Sequence, residues 1–193
     1  MVILPSHFKH SLASISSIYA MLMFLPADIC ILVMSLASHI STDGVVCLNE
    51  DSAHPVSNVL NSDPTNYLRS DVDPQLIISV PFVSPVRLSG IKFTFREDID
   101  PASTPSVIKL FINRPSLDFG DAEALPPIQE ISSPESGTVI PLKVALFQNV
   151  FYLQIFVQDN NGADLSEIGC LDLFGSPGEN MNMREFKKIK EDD

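Results

Sequence analysis

Paired carboxylates are the first feature of this sequence that could do chemistry. Asp71 and Asp73 stand two residues apart, shortly before an apolar run that begins at Leu76. Such a pair can act as a general acid and a general base, or it can bind calcium together with further oxygen ligands. Because only Asp63 and Ser70 offer such ligands nearby, we favour a turn in which the Asp side chains accept hydrogen bonds from their own backbone. The pair therefore indicates neither a catalytic nor a metal site.

The sequence contains no recognisable catalytic constellation. His54 is the only histidine beyond residue 43, and general-base catalysis would need a nucleophile and an orienting carboxylate beside it. No Gly-x-Ser-x-Gly elbow and no glycine-rich phosphate loop occurs. The cysteines form no Cys-x-x-Cys pair, which disfavours a zinc ribbon and a dithiol redox site. We expect no enzyme, no cofactor and no metal, with His54 in a loop and the cysteines reduced.

A segment that mixes carboxylates with apolar side chains is the better candidate for binding. It runs from residue 117 to residue 123, Leu-Asp-Phe-Gly-Asp-Ala-Glu, in a predicted loop. Its phenylalanine either anchors a partner protein or packs onto its own domain, and the sequence leaves both possibilities open. The candidate partner-binding residues come from this segment and from the aspartate pair: Asp118, Phe119, Asp121, Glu123, Asp71 and Asp73.

The charge balance limits the choice of partner. The formal net charge is −12 at pH 7, whereas nucleic-acid binding needs a basic surface that neutralises phosphates. We therefore expect no nucleic acid and favour a basic or mixed protein surface. The basic residues cluster only near the C-terminus, which we interpret as a solvated tail: Arg184, Lys187, Lys188 and Lys190. Met183, Phe186 and Ile189 recur there at a spacing of three, which predicts a short helix docked on its own domain or, less favoured, on a partner.

Apolar runs with a period of two predict strands through most of the chain. In the clearest run, every second residue from Phe151 to Val157 is apolar and faces one way, while Tyr152, Gln154 and Phe156 face the other. Prolines and glycines separate such runs, and no long run has helical periodicity. The predicted strands cover residues 76–80, 86–95, 107–113, 138–142, 144–147, 151–158 and 168–174, after a short helical turn within residues 47–60. The predicted fold is all-β, an antiparallel two-sheet β-sandwich of jelly-roll type with about eight strands.

Residues 1–43 differ in composition from the rest of the chain. Between Ser11 and Ser41 the only charged side chain is Asp28. Residues 11–40 are long enough for a membrane helix, although Pro26 and Asp28 interrupt them. A signal peptide with Lys9 and residues 12–25 is a second possibility. We favour a third, a helical extension unrelated to the fold, such as a gene-model artefact. The expected division is extension 1–43, sandwich 44–190 and acidic tail 191–193.

Several short motifs from residue 47 onward resemble the PITH domain, the proteasome-interacting module of thioredoxin-like proteins, which also occurs alone in small proteins. The most specific are Phe-Gln-Asn-Val at 147–150, Leu-Phe-Ile-Asn-x-Pro at 110–115 and Asn-Met-x-x-Phe-Lys-Lys at 182–188. Cys-Leu-Asn-Glu at 47–50, Tyr-Leu-Arg-Ser-Asp-Val-Asp at 67–73 and Asp-Asn-Asn-Gly at 159–162 also match. The resemblance covers residues 47–190.

This resemblance implies a galactose-binding-like sandwich in the cytoplasm and nucleus that associates with the 26S proteasome regulatory particle. Residues 1–43 are too short for a thioredoxin domain and contain only Cys30, so redox activity is not carried over. The expected function is a non-enzymatic protein-interaction module. One alternative is a carbohydrate- or other ligand-binding sandwich, for which Tyr67 is a weak aromatic platform in a chain without tryptophan. The other is an adaptor anchored to a membrane through residues 11–40.

Overall fold

The computed structural model describes residues 34–61 and 66–178. Almost all regular structure in these ranges is β-strand. The strands are β1 Val46–Leu48, β2 Leu68–Arg69, β3 Leu76–Thr94, β4 Pro105–Ile112, β5 Gln129–Ser132, β6 Val139–Pro141, β7 Val150–Asn160, β8 Glu167–Ile168 and β9 Cys170–Pro177. Within the described ranges, one helix, α1, spans Phe119–Ala124, and four 3-10 turns occupy Ala37–His39, Thr42–Gly44, Val56–Asn58 and Pro101–Ser103.

The long strand β3 belongs to both layers of the fold. Its first part pairs with β1 on one side and β7 on the other, which gives a large sheet in the order β1-β3-β7-β4-β5. Its second part pairs with β6 and β9. The register with β7 shifts between Pro81 and Val86, where prolines at 81 and 85 withhold backbone donors from the ladder. Sequence reasoning divided β3 into two strands here, but the chain continues through a bend.

Alternating side chains from both layers form one core. In β3 and β7 every second residue faces inward, including Ile78, Val80 and Ile155, and all three are buried. They meet Phe93 and Leu173 from the second layer. Burying a side chain of this size contributes about 1.5–3 kcal/mol, so this interior is the main source of stability. All named strand pairs are antiparallel, which confirms the predicted all-β antiparallel sandwich.

The motif at 110–115 ties two parts of the large sheet together. Asn113 adopts a φ of 56°, a conformation that asparagine tolerates better than most residues. Its Oδ1 accepts hydrogen bonds from the backbone N–H of Phe151 at 2.8 Å and of Tyr152 at 3.2 Å. Its Nδ2 donates to the carbonyl of Asn149 at 3.1 Å. Asn113 therefore fixes the start of β7 against the end of β4.

The residues before position 44 require a correction. Leu36 is fully buried in the core, and its N–H donates to the Leu173 carbonyl at 2.8 Å. Ile40 forms a β-bridge with Phe82. Residues 35–43, which sequence reasoning assigned to an extension, thus pack as part of the sandwich because their apolar side chains cover the core beside β9 and the middle of β3.

Other local expectations were also wrong. Residues 144–147, predicted as a strand, form a turn in which Phe147 N–H donates to the Val144 carbonyl at 3.2 Å and the Phe147 ring is buried. The short helical turn predicted within residues 47–60 is the 3-10 turn Val56–Asn58, whereas Val46–Leu48 form β1, and β5 was missed. Helix α1 lies in a predicted loop.

The expectations for residues 1–33, for the segment 181–189 and for the tail 191–193 lie outside the described residues. No helix in the ranges 34–61 and 66–178 is long and apolar enough to cross a membrane.

Candidate interaction face

Helix α1 and its N-cap residue present three carboxylates on the surface. Asp118 caps the helix: its Oδ1 accepts from the N–H of Asp121 at 2.8 Å, and its carbonyl accepts from the N–H of Ala122 at 2.9 Å. An aspartate at this position satisfies backbone donors that a helix start leaves open, and its charge suits the positive end of the helix. Asp118, Asp121 and Glu123 are exposed. Their backbone positions are therefore fixed while their charges face solvent.

Phe119 packs onto its own domain. Its ring lies edge-on against Phe156 with centroids 6.1 Å apart, and the side chain is half-buried. Together with Leu117 and Ala122 it covers Phe111 and Phe156 on the outer face of the large sheet. The ring holds α1 in place, so the helix presents acidic rather than aromatic groups to a partner.

The aspartate pair lies in a turn braced by Asn49. Asn49 adopts a φ of 64°, and its Nδ2 donates to Asp73 Oδ1 at 2.9 Å and to the carbonyl of Gln75 at 2.7 Å. Asp73 Oδ1 also accepts from the N–H of Gln75 at 2.9 Å. Asp71 is exposed, and its N–H donates to the Asn49 carbonyl at 3.0 Å. This is the Asp-stabilised turn that we favoured from the sequence.

The two acidic segments meet in space. Gln75 Nε2 donates to Glu123 Oε1 at 3.2 Å across 48 positions of sequence. This contact places the stretch that follows the turn at residues 71–73 beside α1. We call the five carboxylates of the two segments the acidic face: Asp71, Asp73, Asp118, Asp121 and Glu123. No group of three potential metal ligands comes together in the part of the chain that the structure describes.

A second charged cluster is internally paired. Asp51 accepts from the N–H of Ala53 at 2.9 Å, lies 2.9 Å from His54 Nδ1 and accepts from Arg69 Nη2. These hydrogen bonds, first that from Ala53 and then those from His54 and Arg69, hold the pKa of Asp51 well below its usual range. His54 is therefore a partner of Asp51 within a structural network.

Tyr67, the weak aromatic platform, is covered by protein groups. The His54 ring stacks on it with centroids 4.3 Å apart, and the Arg96 guanidinium lies 4.1 Å from its ring centroid. Arg96 in turn pairs with Asp98 at 2.9 Å. Sequence reasoning missed the roles of Arg69 and Arg96, because the residues that these arginines contact are distant in sequence or look like loop residues.

The described cysteines are thiols. Cys170 is buried, and its Sγ donates to the Asn61 carbonyl at 3.3 Å. Burial, reinforced by nearby Glu50, raises the pKa of the Cys47 thiol well above its usual range. A protonated thiol is a poor nucleophile and a poor metal ligand.

A β-sandwich with a fixed acidic face has the architecture of a binding domain. The sequence profile described as "PITH domain" matches residues 30–192. The chain therefore belongs to the PITH domain family, and this membership indicates a protein-interaction module.

Two relatives show the extent of the similarity. The chain is 36% identical over 163 residues to Thioredoxin-like protein 1 of Schizosaccharomyces pombe, covering 81% of this chain and 56% of that protein. It is 31% identical over 148 residues to the PITH domain-containing protein CG6153 of Drosophila melanogaster, covering 73% and 69%. The chain thus spans little more than half the length of the fission-yeast protein.

The fold is similar to that of carbohydrate-binding modules. The module CBM32-3 from a family 31 glycoside hydrolase of Clostridium perfringens superposes with a TM-score of 0.52 at 13% identity, covering 72% of this chain and 97% of the module. This similarity confirms a galactose-binding-like β-sandwich.

Proposed function

We propose that this chain is a non-enzymatic interaction module that associates with the 26S proteasome regulatory particle through its acidic face, in the cytoplasm and nucleus. The observation that carries the proposal is the Gln75–Glu123 hydrogen bond, which brings two exposed acidic segments next to each other. The choice of the proteasome follows from the family resemblance, and the name of the fruit-fly relative refers to the PITH domain and to no reaction.

Surface charge of this kind acts mainly on encounter and orientation. Like-signed carboxylates on a rigid scaffold attract a basic surface over about 10 Å at ordinary salt, and this attraction weakens as salt rises. Complementary charges raise the association rate and exclude wrong partners more than they raise affinity. The acidic face is thus suited to reversible, salt-sensitive docking.

A carbohydrate-binding function is the second candidate, because the similar solved structure is a carbohydrate-binding module. Sugar binding in such sandwiches commonly uses an exposed aromatic ring. Here the Tyr67 ring contacts His54 and Arg96, which disfavours stacking of a sugar on it. Binding of the full chain to a glycan array would favour this candidate over the first. Anchoring to a membrane through residues 11–40 stays a prediction.

Co-purification from cell lysate tests the proposal. The full chain should recover stoichiometric regulatory-particle subunits at low salt and fewer at physiological salt. A variant with Asp71→Asn, Asp121→Asn and Glu123→Gln should recover clearly less. A control with the same loss of charge elsewhere on the exposed surface should bind like the wild type: Glu97→Gln, Glu135→Gln and Asp164→Asn. Folded protein that recovers no regulatory-particle subunits would refute the proposal.

A further inference from the structure

A groove crosses the part of the outer sheet face that α1 leaves uncovered. Its floor contains the cross-strand neighbours Ser79 and Gln154. One wall is formed by Val46 and Leu48 of the edge strand β1, and the other by residues 115–118 ahead of α1. The groove encloses about 230 Å³. It is therefore large enough for a side chain of a bound protein segment, rather than for an extended cofactor.

The floor of the groove holds a buried donor without an acceptor. Gln154 is 1% exposed, and its Oε1 accepts from the backbone N–H of Arg114 at 3.2 Å. Its Nε2 is buried and has no hydrogen-bond partner in the described part of the chain. Buried polar groups are nearly always paired, and an unpaired one calls for an explanation. A ligand that brings an acceptor, such as a backbone carbonyl, would pair this donor.

The walls beside this donor are apolar and exposed. Val46 is 54% exposed and Leu48 is 41% exposed, although both lie in a strand of the sandwich. Tyr152, two residues before Gln154 and on the same face of β7, is 38% exposed. Most other large apolar side chains of these strands are buried. Val46, Leu48 and Tyr152 therefore form an apolar strip at the surface that an apolar group could cover.

Asp118 places a carboxylate in the wall of the groove, and Arg114 directly precedes the same wall. The carboxylates of α1, Asp121 and Glu123, follow Asp118 within five positions. At the end of β1, Asn49 directly follows Leu48 and binds Asp73. An occupant that carries lysine or arginine next to an apolar side chain would match both the apolar strip and this charge.

We propose that this groove binds an extended segment of a partner protein. An aliphatic side chain of the segment lies between β1 and residues 115–118, a backbone carbonyl accepts from Gln154 Nε2, and a flanking Lys or Arg faces Asp118. The inference rests on the interaction function proposed above, but not on the proteasome as the partner.

Selection from a phage-displayed library of random peptides tests this groove. The full chain, immobilised at physiological salt, should enrich peptides in which an aliphatic residue is flanked by Lys or Arg. Enriched peptides would then be synthesised and their affinities measured for purified variants. Absence of enrichment, or enrichment of acidic peptides, would overturn the proposal.

Three substitutions make the test specific. Val46→Lys places a positive charge in the wall, where it would repel the Lys or Arg of the bound segment, and should weaken binding about tenfold or more. Gln154→Met keeps the side-chain length but removes the donor together with the acceptor of the Arg114 N–H, and should weaken binding at least about fivefold, the usual effect of one hydrogen bond. Val83→Lys is the matched control, because Val83 is 74% exposed and does not line the groove. Equal binding by wild type and Val46→Lys would overturn the assignment.

The chain's own basic segment provides the sharpest rival occupant, since residues 183–190 also combine apolar and basic side chains. If peptides bind only after Lys187→Glu, Lys188→Glu and Lys190→Glu, the groove is an intramolecular site and the partner proposal is wrong. Failure to recover proteasome while peptides still bind would reject the proposed function and leave the groove intact. Recovery of the proteasome without any peptide binding would reject the groove proposal alone.

Discussion

Two groups of carboxylates in this molecule have opposite roles. Asp51 and Asp98 are engaged by arginines, through Asp51–Arg69 and Asp98–Arg96. The carboxylates of the acidic face form none of the ion pairs found among the described residues, although Asp73, Asp118 and Glu123 accept hydrogen bonds from uncharged groups. The same residue type therefore stabilises the fold in one region and leaves net charge at the surface in the other.

This difference has a physical basis in what surrounds each group. Around Asp51, a backbone N–H, an imidazole and a guanidinium converge on one carboxylate, and all three favour its charged form. On the acidic face, the scaffold supplies backbone donors and amides that fix position but do not cancel charge. Substitutions around Asp51 should therefore change stability, whereas charge-removing substitutions on the acidic face should change partner binding.

The largest effect is expected at Phe156, which supports the acidic face from below. Phe156→Ala removes a fully buried ring that Phe119 contacts, and should lower the free energy of unfolding by about 3–5 kcal/mol. Binding should fall with it, because α1 loses its support. Chemical denaturation would measure the loss. Phe151→Ala, at a ring that is 43% exposed, serves as the control with a much smaller effect.

Asp51→Asn should come next, and should affect stability alone. Asparagine cannot provide the charge that His54 and Arg69 engage, so the thermal midpoint should fall below that of Asp121→Asn. Partner binding by the folded protein should stay at the wild-type level. A loss of binding without a loss of stability would contradict the division of roles between the two regions.

The pH dependence sharpens the same point. The pKa of Asp51 lies below its ordinary value of 3.8, so its contribution to stability is fully present above that value. The contribution is lost as pH falls from there through the folded-state pKa. The stability difference between wild type and Asp51→Asn should thus be constant near neutrality and shrink below about pH 4. Denaturation curves over an acid pH series would show it, and a difference that grows in acid would contradict the assignment.

A smaller effect is expected at the helix cap. Asp118→Ala should lower the free energy of unfolding by about 1 kcal/mol, because the N–H of Asp121 loses its acceptor. Asp118→Asn keeps a capping oxygen and should be nearly as stable as wild type, while both variants lose one charge of the acidic face. If the two variants bound the partner equally, the charge of Asp118 would matter more for binding than the order of α1. Chemical denaturation would still distinguish the two variants by their stability.

The smallest change in stability is expected at Asp121. Asp121→Asn should shift the free energy of unfolding by no more than about 0.5 kcal/mol, because the side chain is exposed. Its effect should appear in the association rate with the partner and should diminish as salt rises. Stopped-flow measurements at two salt concentrations would check this, with Asp164→Asn as the charge-matched control.

Sequence reasoning recovered what local patterns determine. The period of two in β7 correctly gave Leu153, Ile155 and Val157 as its inward face, although Phe151 at the start of the strand is exposed. The turn chemistry of Asp73 was visible in its spacing before β3. It could not show that Phe156, on the other side of β7, is also buried, because α1 covers it from a distant part of the chain. The meeting of residues 71–73 with α1 also depends on a contact between distant positions, Gln75 and Glu123.

The sequence also did not predict β1 or the packing of Leu36, for related reasons. β1 has only three residues, too few for an alternation to be recognised, and it exists because β3 pairs with it. Leu36 lies in a region whose apolar composition suggested an extension, although it completes the core. Where tertiary contacts decide the structure, local propensity gives no signal.

The most direct test of the acidic face is the association of the full chain with purified regulatory particle, measured as a rate over a range of salt. We expect wild type and the control Glu97→Gln, Glu135→Gln, Asp164→Asn to associate alike, and more slowly as salt rises. The variant Asp71→Asn, Asp121→Asn, Glu123→Gln should associate more slowly and with a weaker dependence on salt. Identical rates and salt dependence for all three proteins would contradict the account, because the charge of this face would then have no part in docking.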